Sequence, residues 1–277
     1  MVTPPGGSEP RDDAAPTTLA AVPDRPTAES AGLHRRAISF VLPAYNEEGN
    51  IERAIESVVD VARRYCSAFE VIVVDDGSAD RTAELVTEAA TRYPEVQLAR
   101  HARNRGYGEA LRTGFLRARL DFVFFTDADN QFDMEELALL LPWADRVDVV
   151  AGYRRNRQDT AMRRLNAWAW NRLVRVLFYV PVRDIDCAFK LFRRDAVVEL
   201  DIESVGAMVN TEVMVKLGRT GKTVVEVGVT HLPRTAGTAR GAKLSVIAKA
   251  LTEVWQMYDR LTQLGPDSAP VPRAPRP

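Results

Sequence analysis

The sequence predicts an α/β fold built on a mostly parallel sheet, and three features point there. Short uncharged apolar runs alternate along the chain with stretches whose apolar residues recur at helical spacing. The runs are apolar on both faces, as in Phe122-Val123-Phe124-Phe125, which is how strands covered on two sides by helices read. Polar clusters follow four of the runs, where the carboxyl edge of an open α/β sheet binds its ligands.

Taken in order, Ile38–Leu42 reads as the first strand. Asn50–Tyr65 follows as a helix, with apolar residues at 51, 54, 55, 58, 59 and 62. Phe69–Val74 is a second buried strand, and Asp80–Tyr93 a helix with Asp80 at its N-cap. Val96–Ala99 is a short strand and Gly108–Leu120 a third helix. The Phe122 strand, a helix over Asp133–Trp143 and a strand over Val147–Ala151 complete the first half. Strands alternating with helices imply right-handed βαβ units. The second half departs from this rhythm. Thr160–Val180 is helical in pattern but very basic; from Arg154 to Arg194 there are ten Arg and one Lys against three Asp, a local net of +8. A strand over Ala188–Arg193, a helix over Asn210–Leu217, a strand over Thr223–Thr230 and a last helix over Lys243–Leu264 finish the core, with no internal repeat.

Residues 1–34 and 265–277 are rich in Pro and Ala, with no aromatic residue and no apolar period. Such composition buries too little apolar surface to offset chain entropy, so both are expected to be disordered tails around one domain over 35–264. Within 277 residues, charged side chains make up 27% and apolar ones 46%, which suits a sizeable globular core. A net charge of −1 gives no reason to expect a nucleic-acid partner. Cys66 and Cys187 lie far apart without metal-ligand spacing, which suggests a reducing compartment. No basic-then-apolar export signal is present, nor a run of about 20 apolar residues. The expectation is a cytoplasmic protein, soluble or held peripherally on a membrane.

Asp127 and Asp129 stand one residue apart at the end of the Phe122 strand, followed by Gln131. Two carboxylates and an amide offer only hard oxygen ligands, which suit Mg²⁺ or Mn²⁺ with positions left for water and substrate phosphates. Taken alone, the pair could equally be a polar loop capping the next helix. Three more clusters follow strands: Pro43-Ala44-Tyr45-Asn46-Glu47-Glu48, Asp75-Asp76-Gly77-Ser78 and Asn104-Arg105-Gly106-Tyr107-Gly108. Each could be an ordinary turn; together on one edge they describe a ligand site. The Gly-rich turn would let backbone approach a ligand with a helix N-terminus behind it. No strand leads into Gly-x-Gly-x-x-Gly, which disfavours a dinucleotide site.

The set Pro43-Ala44-Tyr45-Asn46-Glu47, Val74-Asp75-Asp76-Gly77-Ser78 and Asp127-Ala128-Asp129-Asn130-Gln131 resembles the signature of family 2 glycosyltransferases, which have the GT-A fold. Within that family the chain is most similar to polyprenyl-phosphate glycosyltransferases of the dolichol-phosphate mannosyltransferase kind. The resemblance runs from about Ser39 to the last helix. It implies inverting transfer of mannose or glucose from a GDP- or UDP-linked donor, with Asp127, Asp129 and Gln131 holding the metal. Pro43, Ala44, Tyr45, Glu47 and Asp76 would line the nucleotide pocket, with Gly106, Ala128 and Lys243 also in contact with the donor. His231–Lys243 resembles the family's Arg-x-x-Gly loop followed by a Lys, so Arg234 would hold phosphate. The spacing leaves Arg240 and Lys243 as alternatives for that Lys.

The acceptor decides the rest. A phosphate, with a second pKa near 6, is already an anionic nucleophile and needs only cations around it. A hydroxyl needs a carboxylate base, for which Glu212 is available; Asp184 and Asp186 resemble a family position near the acceptor. Trp168 and Trp170 among Arg163, Arg164, Arg172 and Arg175 suit a helix lying in a membrane interface, or else a core helix with a solvated basic face. His34, His101 and Cys187 read as structural or incidental. Two other functions fit the same motifs: a soluble transferase acting on a small-molecule hydroxyl, and a nucleotide-sugar-binding module without catalysis.

Overall fold

The computed structural model describes residues 35–155, 161–178, 182–233 and 254–255. Both expected tails, Arg234, Arg240, Lys243 and all of the last helix except Val254 and Trp255 lie outside that range.

Among the described residues seven strands form one sheet: β1 (Arg36–Ala44), β2 (Cys66–Asp75), β3 (Val96–Arg100), β4 (Phe122–Thr126), β5 (Val149–Arg154), β6 (Phe189–Arg193) and β7 (Val224–Val229). Their spatial order is β3-β2-β1-β4-β6-β5-β7. Helices α1 (Ile51–Tyr65), α2 (Thr82–Arg92) and α3 (Tyr107–Arg117) connect the first four strands. The chain winds outward from β1 to β3, then steps back to place β4 on the other side of β1, with Val41 opposite Phe125. Strand order therefore reverses between β1 and β4, and a crevice opens outside their carboxyl ends.

β4 is buried on both sides because its side chains alternate. Phe122 and Phe124 join one core layer with Phe40, Leu42, Ile55 and Phe189. Val123 and Phe125 join the other with Val41, Phe115, Phe192 and Val213. Phe124 meets Phe189 edge-on at 4.7 Å between centroids. Each such buried side chain contributes about 1.5–3 kcal/mol, so the loop after β4 leaves from a strand packed on both faces.

Among the described residues the expected element order holds, with four differences. α2 starts at Thr82 rather than Asp80; Asp80 accepts the Thr82 N–H at 3.0 Å and the Glu48 N–H at 3.2 Å, so it ties two loops together before the first turn. The helix expected over Asp133–Trp143 is broken into a 3₁₀ turn at Met134–Glu136, one α turn, α4 (Leu137–Leu140), and a 3₁₀ turn at Leu141–Trp143. Pro142 lacks the N–H that a continuous helix would use there. Third, β6 runs antiparallel to both neighbours. Phe189 pairs with Thr126, so the start of β6 lies where β4 ends, and the residues just before it reach the site edge. Between β5 and β6 runs α5 (Ala161–Phe178); the short α6 (Arg194–Val198), not foreseen from sequence, and α7 (Val209–Arg219) follow.

Candidate active site

The ends of β1, β2 and β4 come together at the crevice, and a pocket of about 450 Å³ opens there. Pro43, Ala44, Tyr45 and Glu47 line it after β1, Asp76 after β2, Gly106 before α3, and Asp127, Ala128 and Asp129 after β4. Every described residue that the sequence places against the nucleotide thus borders one cavity. Asn46, Asn104, Tyr107 and Ala110 line it as well.

The loops are locked to each other before any ligand arrives. Asn46 and Asn130 both take left-handed backbone, φ 54° and 56°, which Asn tolerates better than most residues. The Asn46 N–H donates to Ser78 Oγ, and its side-chain oxygen accepts the Ala79 N–H, each at 2.9 Å. Glu47 N–H donates to Thr82 Oγ1 at 2.9 Å. Asn130 reaches the Asn50 carbonyl at 3.0 Å and fixes the β4 loop to the start of α1.

Asp76 organises the Gly-rich turn. Its Oδ1 accepts the Arg105 N–H and its Oδ2 the Gly106 N–H, both at 2.8 Å. His101 Nδ1 lies 2.7 Å from Oδ1, and its Nε2 lies 3.0 Å from Thr113 Oγ1. His101 is accordingly structural, a buried brace under Asp76. On the far side of the turn the Gly108 N–H donates to the Val205 carbonyl at 2.9 Å.

Asp127 and Asp129 carry the unusual electrostatics. Burial, then the negative charge of Asp129, pushes the Asp127 carboxyl up to about 7, against the pull of Tyr107, Lys190 and Arg154. The Tyr107 hydroxyl donates to Asp127 Oδ1 at 2.7 Å, and burial beside that carboxylate holds the phenol well above its usual range. Asp129, also buried, accepts the Gln131 N–H at 3.2 Å, while the Gln131 side-chain nitrogen donates to the Leu232 carbonyl at 3.2 Å. Among the described residues no group of three His, Cys, Asp or Glu could hold a metal unaided. Two crowded carboxylates at a pocket fit an ion that shares its shell with substrate phosphate and water, as Mg²⁺ and Mn²⁺ do.

The other carboxylates singled out from sequence have different tasks. Asp184 takes the Arg154 guanidinium as a fork, at 2.6 and 2.7 Å, where burial would lower the Arg pKa but these bonds raise it. Beneath that loop the buried Lys190 ammonium donates to the carbonyls of Ile185 and Cys187. Burial, then the charge of Asp184, pushes the Cys187 thiol up to about 12, which leaves it unreactive. Glu212, 1% exposed on α7, is absent from the pocket lining. It accepts the N–H groups of Glu203 at 2.9 Å and Ser204 at 2.7 Å and pairs with Lys216 at 2.7 Å. Burial would raise its pKa, but Lys216 and those N–H groups bring it below the usual range. The side chain offered as a base instead holds the 203–205 segment against the Gly-rich turn.

Sequence reading quoted Tyr107 without giving it a role. An aromatic residue between two glycines, in a turn that faces two carboxylates, was the available signal. Nothing local in the sequence joins Glu212 to residues 203 and 204.

The family model for glycosyl transferase family 2 matches residues 39–201. An undecaprenyl-phosphate 4-deoxy-4-formamido-L-arabinose transferase of Pectobacterium carotovorum is 34% identical over 82% of this chain and 67% of its own. A dolichyl-phosphate beta-glucosyltransferase of Trichomonas vaginalis is 34% identical over 57% of this chain and 54% of its own. The chain thus spans about two thirds of the first relative and about half of the second. Among solved structures, a Pyrobaculum calidifontis mannosyltransferase in complex with GDP-Man and Mn²⁺ superposes with TM-score 0.62 at 22% identity, over 82% of this chain and 65% of that one. Glucosyl-3-phosphoglycerate synthase of Mycobacterium tuberculosis, in complex with Mn²⁺, UDP-Glc and phosphoglyceric acid, gives 0.63 at 22% over 84% and 86%. The sheet order, the crevice between β1 and β4 and the family match lead to one assignment: the chain belongs to glycosyl transferase family 2 and has the GT-A fold of its glycosyltransferases.

Proposed function

We propose that the protein transfers mannose or glucose, with inversion, from a GDP- or UDP-linked donor to a polyprenyl phosphate, using Mg²⁺ or Mn²⁺. The observation that carries this reading is the pair of half-buried Asp127 and buried Asp129 at the wall of a nucleotide-sized pocket. Support comes from relatives named for undecaprenyl and dolichyl phosphate, and from neighbours in complex with Mn²⁺ and GDP-Man or UDP-Glc.

Asp127 and Asp129 would hold the metal, with Gln131 as the further oxygen donor. When bound, the ion supplies positive charge to the diphosphate oxygens as they leave. The loops after β1 and β2 hold the nucleoside end. The Gly106 turn brings backbone and the α3 N-terminus to the phosphate side. Arg234, with Lys243 or Arg240, would hold the acceptor phosphate. That acceptor is anionic near neutral pH, so no protein base is required. The pocket supports this, because Asp76 serves the Gly-rich turn and Glu47 the Asn50 amide, while Asp127 and Asp129 are the metal's candidates.

The direct test incubates the protein with radiolabelled GDP-Man or UDP-Glc, Mn²⁺ and a polyprenyl phosphate, followed by solvent extraction. Label in the lipid phase is expected. Label only in a water-soluble product would move the assignment to a small hydroxyl acceptor, and no nucleotide release with any acceptor would leave a binding module.

Two variants separate the acceptor chemistries. Arg234→Ala is expected to lower turnover about 10- to 100-fold, the worth of a hydrogen bond to a charged group. Glu212→Gln is expected to cost about 1–3 kcal/mol of stability by loosening the 203–204 N–H groups, with little change in rate once folded. A Glu212→Gln protein of normal stability whose rate falls about 10²–10⁴-fold would instead identify a base and a hydroxyl acceptor.

Peripheral membrane contact belongs to the same reading. No described helix is long and apolar enough to cross a membrane. On α5, Trp168 at 60% and Val176 at 56% are exposed, with Arg172 between them on the same i, i+4, i+8 stripe. The side chains of Arg163, Arg164 and Arg175 lie outside the described set. Sedimentation with anionic vesicles at low salt, lost as salt rises, is the expected result, since exposed charge attraction is screened. Protein that stays in the supernatant at low salt would remove the interfacial helix from the proposal.

A further inference from the structure

We propose that Tyr107 is a positioning residue that aims the Asp127 carboxylate at the metal, and that the Gly106–Gly108 turn exists to hold its hydroxyl there. The inference rests on the reading of Asp127 as a metal ligand given above.

Two parts of the fold meet at this phenol, β4 with its following loop and α7. Its hydroxyl donates to Asp127 Oδ1 at 2.7 Å. Asn210, on α7, is a polar neighbour of the same hydroxyl and favours its ionised form. Its ring packs edge-on against Phe125 of β4, with centroids 6.3 Å apart. The backbone on either side is pinned as tightly: Gly106 N–H by Asp76 and Gly108 N–H by the Val205 carbonyl. A Cβ on Gly106 would lie 2.3 Å from the Val205 carbonyl oxygen, and one on Gly108 would lie 1.8 Å from that of Ser204. Backbone from 204–205 therefore presses against the turn, and Glu212 holds the segment in place.

The chemistry explains why such restraint is useful. Asp127 and Asp129 repel each other, and a lone carboxylate at the end of a strand can rotate away from its neighbour. A phenol fixed on one oxygen removes that freedom and presents the other in a constant direction. Partners that orient metal-binding side chains are worth about 10- to 100-fold in metal affinity or activity. A tyrosine that served only as pocket wall would need its ring and not its hydroxyl.

Tyr107→Phe separates the two roles, since it keeps the ring and the Phe125 contact. In the full chain, Mn²⁺ binding would be followed by the loss of the free-ion electron paramagnetic resonance signal, and UDP and GDP binding by calorimetry without metal. The expected result is a Mn²⁺ Kd raised about 10- to 100-fold, with metal-free nucleotide affinity unchanged and the melting temperature lowered only by the few degrees that one lost hydrogen bond to a carboxylate costs. Asn210→Ala, which frees the phenol on its other side, should shift the Mn²⁺ Kd in the same direction by less. Unchanged Mn²⁺ affinity in Tyr107→Phe overturns the inference while the metal assignment stands. So does a parallel loss of metal-free nucleotide binding, which marks a damaged wall. Wild-type protein that binds no Mn²⁺, with or without nucleotide, overturns the metal assignment and this inference with it.

Discussion

Asp129→Ala is expected to lower turnover by about 10²–10³-fold or more, the scale on which removing one fixed electrostatic contact to a developing charge acts. The fold should survive. Asp129 sits past the end of β4, and the bond it accepts from Gln131 N–H, as one to a charged group, is worth about 1.5–3 kcal/mol. The substitution also removes one of the two main causes that raise the Asp127 carboxyl, so that group should titrate closer to the ordinary range while burial keeps it elevated. Asp129→Asn, of nearly equal size, distinguishes lost charge from lost volume and should be almost as inactive. Chelation by EDTA should reproduce the effect in the wild type, and added Mn²⁺ or Mg²⁺ should reverse it. An Asp129→Ala enzyme with normal turnover would end the assignment of this pair to the metal.

Gly106→Ala is the second large effect. Gly106 has φ 104° and ψ 156°, a region used essentially by glycine alone. Held in place, an alanine there would cost about 2–6 kcal/mol from backbone strain and crowding against the Val205 carbonyl together. The turn will shift in preference to bearing that cost, and it carries both Tyr107 and the pocket wall. A displacement of roughly 1 Å next to reacting groups lowers kcat/KM by about 10²-fold. Measured kcat/KM and a urea unfolding midpoint would together show how the cost divides. Wild-type values for both would mean that the turn is not held as the structure shows.

The sequence made the first half of the fold readable because its signals are local. Apolar runs such as Phe69–Val74 and Phe122–Phe125 end at polar clusters, and α1 repeats at helical spacing. The same edge rule placed Pro43, Asp76 and Asp127 in one pocket before any geometry was known. It failed to give the direction of β6, since a five-residue strand reads the same from either end. It left the task of Glu212 open. A buried acid on a helix looks like a free base until the backbone it serves, at 203 and 204, is located in space. Tyr107 lay in between: its place in the turn was visible, but its partner arrives from another strand.

The antiparallel course of β6 has a consequence for how such enzymes diversify. Since β5 and β6 are adjacent and opposed, the stretch between them, residues 155–188, is topologically a hairpin loop despite containing α5. It leaves and rejoins the sheet on the edge that bears the pocket. A hairpin loop can be replaced with every strand pairing preserved, provided that the new one again supplies core side chains in place of Val174, Val182 and Ile185. Its length is also thermodynamically cheap to change, at about 0.6 kcal/mol for each doubling. The molecule therefore has a natural graft point. A different excursion set between β5 and β6 would give new surroundings to the same pocket residues after β1, β2 and β4.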